Sequence, residues 1–131
     1  MKALTDSLLG LLPSSVTVYK GTVPALPKFP YVLAVVSVPS VSLRSQVGRR
    51  MLTTARLRCT VAGLSADSVM VIAHRVIEAL DGARVSPPGW VTGSVQSVPN
   101  DQRVLEDLDF TDAATKLHPM YAVLEFLVTA S

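Results

Sequence analysis

Two histidines, one cysteine and a group of acidic residues are the side chains of this sequence that could support catalysis or bind a metal ion. His74 has Glu78 one helical turn away, and His118 precedes a proline. Neither histidine has a metal-ligand spacing to the other or to Cys59. Four acidic residues lie close together near the C-terminus: Glu106, Asp107, Asp109 and Asp112. They lack the frame of a calcium-binding loop, so the sequence predicts no metal site.

Catalytic motifs are also missing from the sequence. Cys59 falls on the apolar face of a predicted strand, where a buried small hydrophobic residue is expected rather than a nucleophile. There is no G-x-S-x-G, Walker A or G-x-G-x-x-G motif. We therefore predict a protein that is not an enzyme and that uses no cofactor.

The arginines are the more informative charged residues. Five of them fall within residues 44–58, with no acidic residue between them: Arg44, Arg49, Arg50, Arg56 and Arg58. Such a segment can bind phosphates or the carboxylates of a partner. No aromatic residue is interleaved, so the segment offers no platform on which bases could stack. Any binding of nucleic acid is therefore expected to be independent of sequence.

The charge is divided unevenly along the chain. Residues 1–66 carry eight Lys/Arg and one acidic residue, whereas residues 67–131 carry four Lys/Arg and nine acidic residues. Chains of this kind can associate head to tail. In that arrangement Arg56, Arg58 and the preceding arginines would meet acids such as Asp107 or Asp109 of a neighbour. The alternative is that both sets of charges are solvated surfaces of one molecule.

Length and composition indicate a single folded domain spanning residues 1–131. Hydrophobic residues make up 49% and charged residues 17%, which excludes an intrinsically disordered chain. The mean hydropathy is +0.41, yet the longest apolar run covers only residues 31–36, which is too short to span a membrane. The excess of apolar surface therefore favours contacts with other subunits. One unpaired cysteine is consistent with assembly in a reducing cytoplasm.

The hydrophobic periodicity predicts the order α-β-β-β-α-β-β-β and an α+β fold. The predicted helices cover an N-terminal segment ended by Pro13 and a segment that begins at Ser65 and stops at Gly82. The predicted strands cover residues 16–19, 31–38, 52–61, 90–98, 103–110 and 120–128. We expect a single, mostly antiparallel sheet with both helices packed on one face, and an extended basic loop at 40–51.

The strand patterns also predict which faces are buried. Residues 31–38 carry apolar side chains on both faces of the predicted strand, which indicates a strand covered on both sides. Residues 53–61 alternate between an apolar face and a basic face that carries Arg56 and Arg58. In the segment 103–110 we expect Val104, Leu108 and Phe110 to point inward. In the last strand one face is apolar throughout: Met120, Ala122, Leu124, Phe126 and Val128.

Several segments together point to a known family. They are a leading helix, residues 18–24 (VYKGTVP), residues 30–33 (PYVL), residues 57–61 (LRCTV), the helical segment 73–82, and Asp107-x-Asp109 before a final strand. In this order and spacing, the chain resembles the tail terminator, or tail completion, proteins of long-tailed bacteriophages. The resemblance extends over nearly the whole chain.

The resemblance implies a structural virion protein at the head-proximal end of the tail. Its subunits would form a ring, in general a hexamer, that ends polymerisation of the tail tube and joins it to the head-completion proteins. The implied partners are a second copy of the chain, the major tail tube protein, a head-completion or neck protein, and DNA that passes through the lumen. Two alternatives remain: another neck component or a tube subunit, and a non-specific nucleic-acid-binding module.

Overall fold

The structure is a computed structural model that describes residues 2–25, 27–37, 53–98, 104–108, 111 and 116–130. Its elements are α1 (Lys2–Leu9), β1 (Thr17–Lys20), β2 (Tyr31–Ser37), β3 (Thr53–Gly63), α2 (Ala66–Leu80), β4 (Gln96–Ser97), β5 (Leu105–Glu106) and β6 (Met120–Ala130). The predicted order of elements and the α+β class are confirmed. The predicted basic loop at 40–51 lies outside the described residues.

All six strands belong to one sheet with the order β1-β2-β3-β6-β4, and β5 pairs with β6 as well. The centre of the sheet is the antiparallel β3–β6 ladder, which extends from Thr53 opposite Ala130 to Gly63 opposite Met120. Every strand pair is antiparallel except β1–β2, which is parallel. The sheet is therefore mostly antiparallel, as predicted.

One face of the sheet and both helices form a single hydrophobic core. Alternate residues of β2, β3 and β6 contribute to it: Val32, Ala34, Ala55, Leu57, Cys59, Val61, Ala122, Leu124, Phe126 and Val128. The helices contribute Leu4, Leu8, Val69, Ile72, Val76 and Leu80. Since all of these strand residues share one face, the prediction that both helices pack on one face is confirmed.

Helix α2 forms where the sequence has its clearest start and stop signals. The Ser65 hydroxyl accepts a hydrogen bond from the Ser68 N–H at 3.1 Å, which caps the first turn. Apolar residues at spacings of three and four then place one stripe of the helix against β3 and β6. After the helix, Gly82 adopts a φ of +77°, which favours glycine, and its N–H donates to the Val95 carbonyl.

The predicted two-sided burial of β2 is wrong. Val32 and Ala34 are buried, but Leu33 is only half-buried and Val35 is 38% exposed. The physical reason is that both helices pack on the same face of the sheet, so the second face of β2 has no helix above it in the described chain. Packing in the core of the subunit therefore does not explain why the residues on this second face of β2 are apolar.

The two strands predicted at 90–98 and 103–110 are much shorter than expected. β4 contains only Gln96–Ser97 and β5 only Leu105–Glu106. Leu108, predicted to point inward, is 69% exposed. The Asp107 N–H donates to the carbonyl of Pro119, the residue that immediately precedes β6. Leu108 therefore lies beyond the part of the chain that pairs with β6. Phe110 lies outside the described residues.

Cys59 is fully buried in the core, and burial raises the pKa of its thiol from the ordinary 9.0 to about 12. Because the folded thiol resists ionisation, its contribution to stability is complete below about pH 9 and is lost as the pH rises towards 12. We predict that a thiol reagent labels the native protein far more slowly than the unfolded protein at pH 8. Cys59→Ala should cost about 1 kcal/mol of folding free energy in urea unfolding. Rapid native labelling would show that the thiol is accessible.

None of the helices in the described chain is both long and apolar enough to cross a membrane.

Candidate functional site

The side of the sheet opposite the helices, here called the outer face, combines apolar and charged side chains. It includes Leu33, Val35, Arg56, Arg58, Thr60, Ala62, Tyr121, Val123, Glu125 and Leu127. With the exception of Ala62, these residues are half-buried or exposed within the described part of the chain. An apolar sheet surface without a covering layer is typical of a contact surface.

An ion-pair cluster occupies the middle of the outer face. Arg58 lies directly opposite Glu125 in the β3–β6 ladder. Its Nη2 and Nε atoms donate to Glu125 Oε1 at 2.9 Å and 3.2 Å. Arg56 Nη1 lies 3.9 Å from Glu125 Oε2. Two guanidinium groups thus share one carboxylate.

The cluster keeps a net positive charge and accessible hydrogen-bond donors. The side chains of Arg56 and Arg58 are 48% and 57% exposed, whereas that of Glu125 is only 16% exposed. An exposed ion pair contributes about 0–1 kcal/mol to stability, so this cluster is not needed to hold the sheet together. It can instead orient two guanidinium groups for a carboxylate or phosphate on a partner.

A cleft lies at one end of the outer face. Tyr31, Ala62 and Tyr121 are in register on β2, β3 and β6, so that the small alanine lies between two tyrosines. These three residues, with Thr60, Asp107 and Pro119, line a cavity of about 250 Å³. We call this cavity the Tyr31–Tyr121 cleft. It contains one carboxylate between aromatic and apolar walls.

The ring of Tyr31 is held in place by aromatic neighbours. Its centroid lies 5.4 Å from that of Tyr19, in an edge-on arrangement, and 5.2 Å from that of Phe29. Tyr31 and Asp107 also line a second cavity of about 220 Å³, together with Phe29 and residues of the segment 23–27. Burial, followed by repulsion from the Asp107 carboxylate and from the ionised form of Tyr19, raises the pKa of the Tyr31 hydroxyl. The Asp107 carboxylate is therefore close enough to act electrostatically at the cleft.

The structure places three of the predicted interface residues. Arg56 and Arg58 lie on the outer face as expected. Asp107 lines the Tyr31–Tyr121 cleft, at one end of the same face. Arg58 and Ala62 are four residues apart on β3, so the ion-pair cluster and the cleft are separated by roughly 13 Å. Four further predicted interface residues lie outside the described residues: Arg44, Arg49, Arg50 and Asp109.

The sequence analysis missed two features of this surface. Glu125 was not identified as the partner of the arginines, although its alternation with the buried Leu124 and Phe126 places it on the opposite face. The pairing itself depends on the β3–β6 register, which connects distant parts of the chain. The Tyr31–Tyr121 cleft depends on the same register and on β2, so no local pattern indicates it.

His74 is not part of this surface. His74 Nε2 lies 2.9 Å from Glu78 Oε1 on the exposed side of α2, which confirms their expected pairing. Across the described ranges, no group of three His, Cys, Asp or Glu side chains is placed to bind a metal ion.

No protein-family model matches the sequence, and no curated protein matches it significantly.

Proposed function

We propose that the protein is a structural virion subunit that forms a ring on the head-proximal end of a phage tail tube. The observation that carries the proposal is the outer face, whose apolar residues surround an ion-pair cluster and have no helix packed over them in the described chain. A surface of this composition is suited to contact with another protein. The resemblance to tail terminator proteins then supplies the kind of assembly.

The distribution of charge along the sequence is compatible with a ring. A charge asymmetry between the two halves of the sequence favours contacts in which different surfaces meet. Such heterologous contacts close into a ring when the rotation between subunits permits. In the ring, apolar residues of the outer face, such as Leu33 and Leu127, provide the burial, whereas Arg56 and Arg58 set the register of the contact.

The proposed partners are those that the resemblance to tail terminator proteins implies. The ring ends polymerisation of the major tail tube protein and presents its other side to a head-completion protein. DNA passes through the lumen without sequence recognition, which is consistent with arginines that have no interleaved aromatic residues. The proposal involves no membrane, no cofactor and no catalysed reaction.

The test is the form of the assembled protein. We expect purified protein to give closed rings in negative-stain microscopy, with the mass of a small ring by light scattering, and to stop the growth of tail tubes when added to tube protein. Long polymers of the protein alone would instead indicate a tube subunit. A monomer that binds DNA with a steep salt dependence would indicate a nucleic-acid-binding module.

Neutralising the two outer-face arginines should weaken this assembly moderately. We expect Arg56→Gln together with Arg58→Gln to raise the protein concentration needed for ring formation about fivefold, since exposed ion pairs are worth about 0–1 kcal/mol. Glutamine is preferred to glutamate because a second and third carboxylate in the cluster with Glu125 would destabilise the subunit itself. The matched control is Arg75→Gln with Arg84→Gln, which removes the same charge elsewhere. If both pairs behave alike, the effect is one of net charge only.

A further inference from the structure

The dimensions of the Tyr31–Tyr121 cleft suit a flat group. Neighbouring strands lie about 4.8 Å apart, so the backbones of the two tyrosines, one strand on either side of Ala62, are separated by roughly 10 Å. The cavity of about 250 Å³ that these residues line has room for a small planar group such as a guanidinium. Ala62 lines the bottom of the cleft, and its small methyl group leaves the space between the tyrosines open.

The lining of the cleft selects a cation. Asp107 supplies a carboxylate at one end, and the two tyrosines supply aromatic rings and hydroxyl oxygens. A cation near an aromatic ring gains from the charge distribution of the ring, and a carboxylate adds a charge-assisted hydrogen bond. An anion would be repelled by Asp107. Among cationic side chains, guanidinium is the planar one and stacks on aromatic rings, whereas the ammonium of lysine is compact and strongly hydrated.

Chain length determines which arginines can reach the cleft. Strand β3 runs from Thr53 towards Ala62, which places the cleft about 30 Å from Thr53. Arg49 is four residues before Thr53, so its backbone stays within about 14 Å of that residue. The remaining distance of about 16 Å exceeds the length of an arginine side chain. Arg50 is tethered more closely still, so neither arginine can enter the cleft of its own subunit.

We propose that the Tyr31–Tyr121 cleft binds the guanidinium group of Arg49 or Arg50 from a second copy of the chain. The inference rests on the proposed function in one respect, namely that copies of the chain associate. The occupant carries the positive charge that Asp107 selects, and the segment that contains it has three arginines and no acidic residue within residues 44–50. The proposal thus adds one specific contact between neighbouring subunits to those made by the outer face.

This contact has a direction. The cleft lies at the end of the sheet where β2 begins and β3 finishes, whereas Arg49 and Arg50 precede β3 and are tethered to the opposite end. Each subunit therefore carries an acceptor at one end and a donor at the other. Repetition of such a contact from copy to copy gives a closed ring or an open filament, whereas two copies that exchange it reciprocally give a two-fold symmetric dimer.

The first experiment measures binding to the cleft. A synthetic peptide of residues 42–52 is titrated into the full-length protein, below the concentration at which it assembles, and the signals of Tyr31 and Tyr121 are followed by NMR. We expect saturable shifts that are absent when glutamine replaces the three arginines of the peptide. Asp107→Asn should weaken binding about tenfold or more, as expected for a charge-assisted bond. Glu106→Gln, the same charge change on the adjacent residue, should change it less than twofold.

The second experiment measures coupling in the assembly. Asp107→Asn, and Arg49→Gln with Arg50→Gln, should each raise the concentration needed for assembly about tenfold, and the combined variant should be no worse than either alone. Circular dichroism confirms that each variant is folded. Full additivity, or equal effects of Asp107→Asn and Glu106→Gln, would overturn the proposal.

The two proposals fail in different ways. Closed rings that are unaffected by Asp107→Asn would overturn the cleft contact and leave the ring in place. Peptide binding that requires Asp107, in a protein that never forms rings, would support the cleft as an arginine site and contradict the proposed function.

Discussion

Phe126→Ala is expected to lower the free energy of unfolding by about 3–5 kcal/mol, enough to remove a large part of the stability of a domain of this size. Phe126 is 1% exposed and is among the largest fully buried side chains in the described chain. It lies opposite Leu57 in the central ladder and belongs to the core beneath α2. Because close packing on the helix side limits relaxation, alanine would leave a cavity there.

The neighbouring residue provides the control. Leu127 lies on the outer face and is half-buried, so Leu127→Ala should cost no more than about 1 kcal/mol in the isolated subunit. Urea unfolding followed by circular dichroism gives both values. If the two substitutions cost the same, the assignment of faces along β6 is wrong.

Leu33→Asp is expected to abolish assembly while leaving the subunit folded. Leu33 lies on the outer face, between Tyr19 and Thr60 in the sheet register, and its partial exposure lets a carboxylate stay hydrated in the monomer. In a ring that covers this face, the same carboxylate would be buried without an ion-pair or hydrogen-bond partner. Loss of its hydration should weaken assembly by about 100-fold or more. Light scattering across a concentration series measures the change.

A second apolar surface residue shows whether the location matters. Val71 is 52% exposed on α2, on the other side of the sheet from the outer face. Val71→Asp introduces the same charge, and we expect it to leave assembly within about twofold of the unmodified protein, since exposed charges act weakly. Assembly that is lost with Val71→Asp and retained with Leu33→Asp would move the contact to the helical side.

Elements with strong local signals were predictable from the sequence. The stripe of α2, with its Ser65 cap and the Gly82 stop, follows from a period of three to four residues within one segment. The core face of β6 follows from alternation within another. In both cases the information lies within residues that are adjacent in the chain.

Features that depend on pairing between distant segments were not predictable. The parallel β1–β2 pair, the Arg58–Glu125 contact and the tyrosine row about Ala62 all require a register that no single segment contains. The two-sided burial predicted for β2 failed for a related reason. Apolar residues such as Leu33 have the same pattern whether the covering layer belongs to the same subunit or to another.

The central ladder of the sheet also constrains when the subunit can fold. β6 is synthesised after every other described element, yet it pairs with β3, β4 and β5. It also supplies at least a quarter of the core face of the sheet, through Ala122, Leu124, Phe126 and Val128. During translation the edge of β3 that pairs with β6 in the folded subunit therefore stays without that partner until β6 leaves the ribosome. Closing such long-range pairs is slow compared with forming helices.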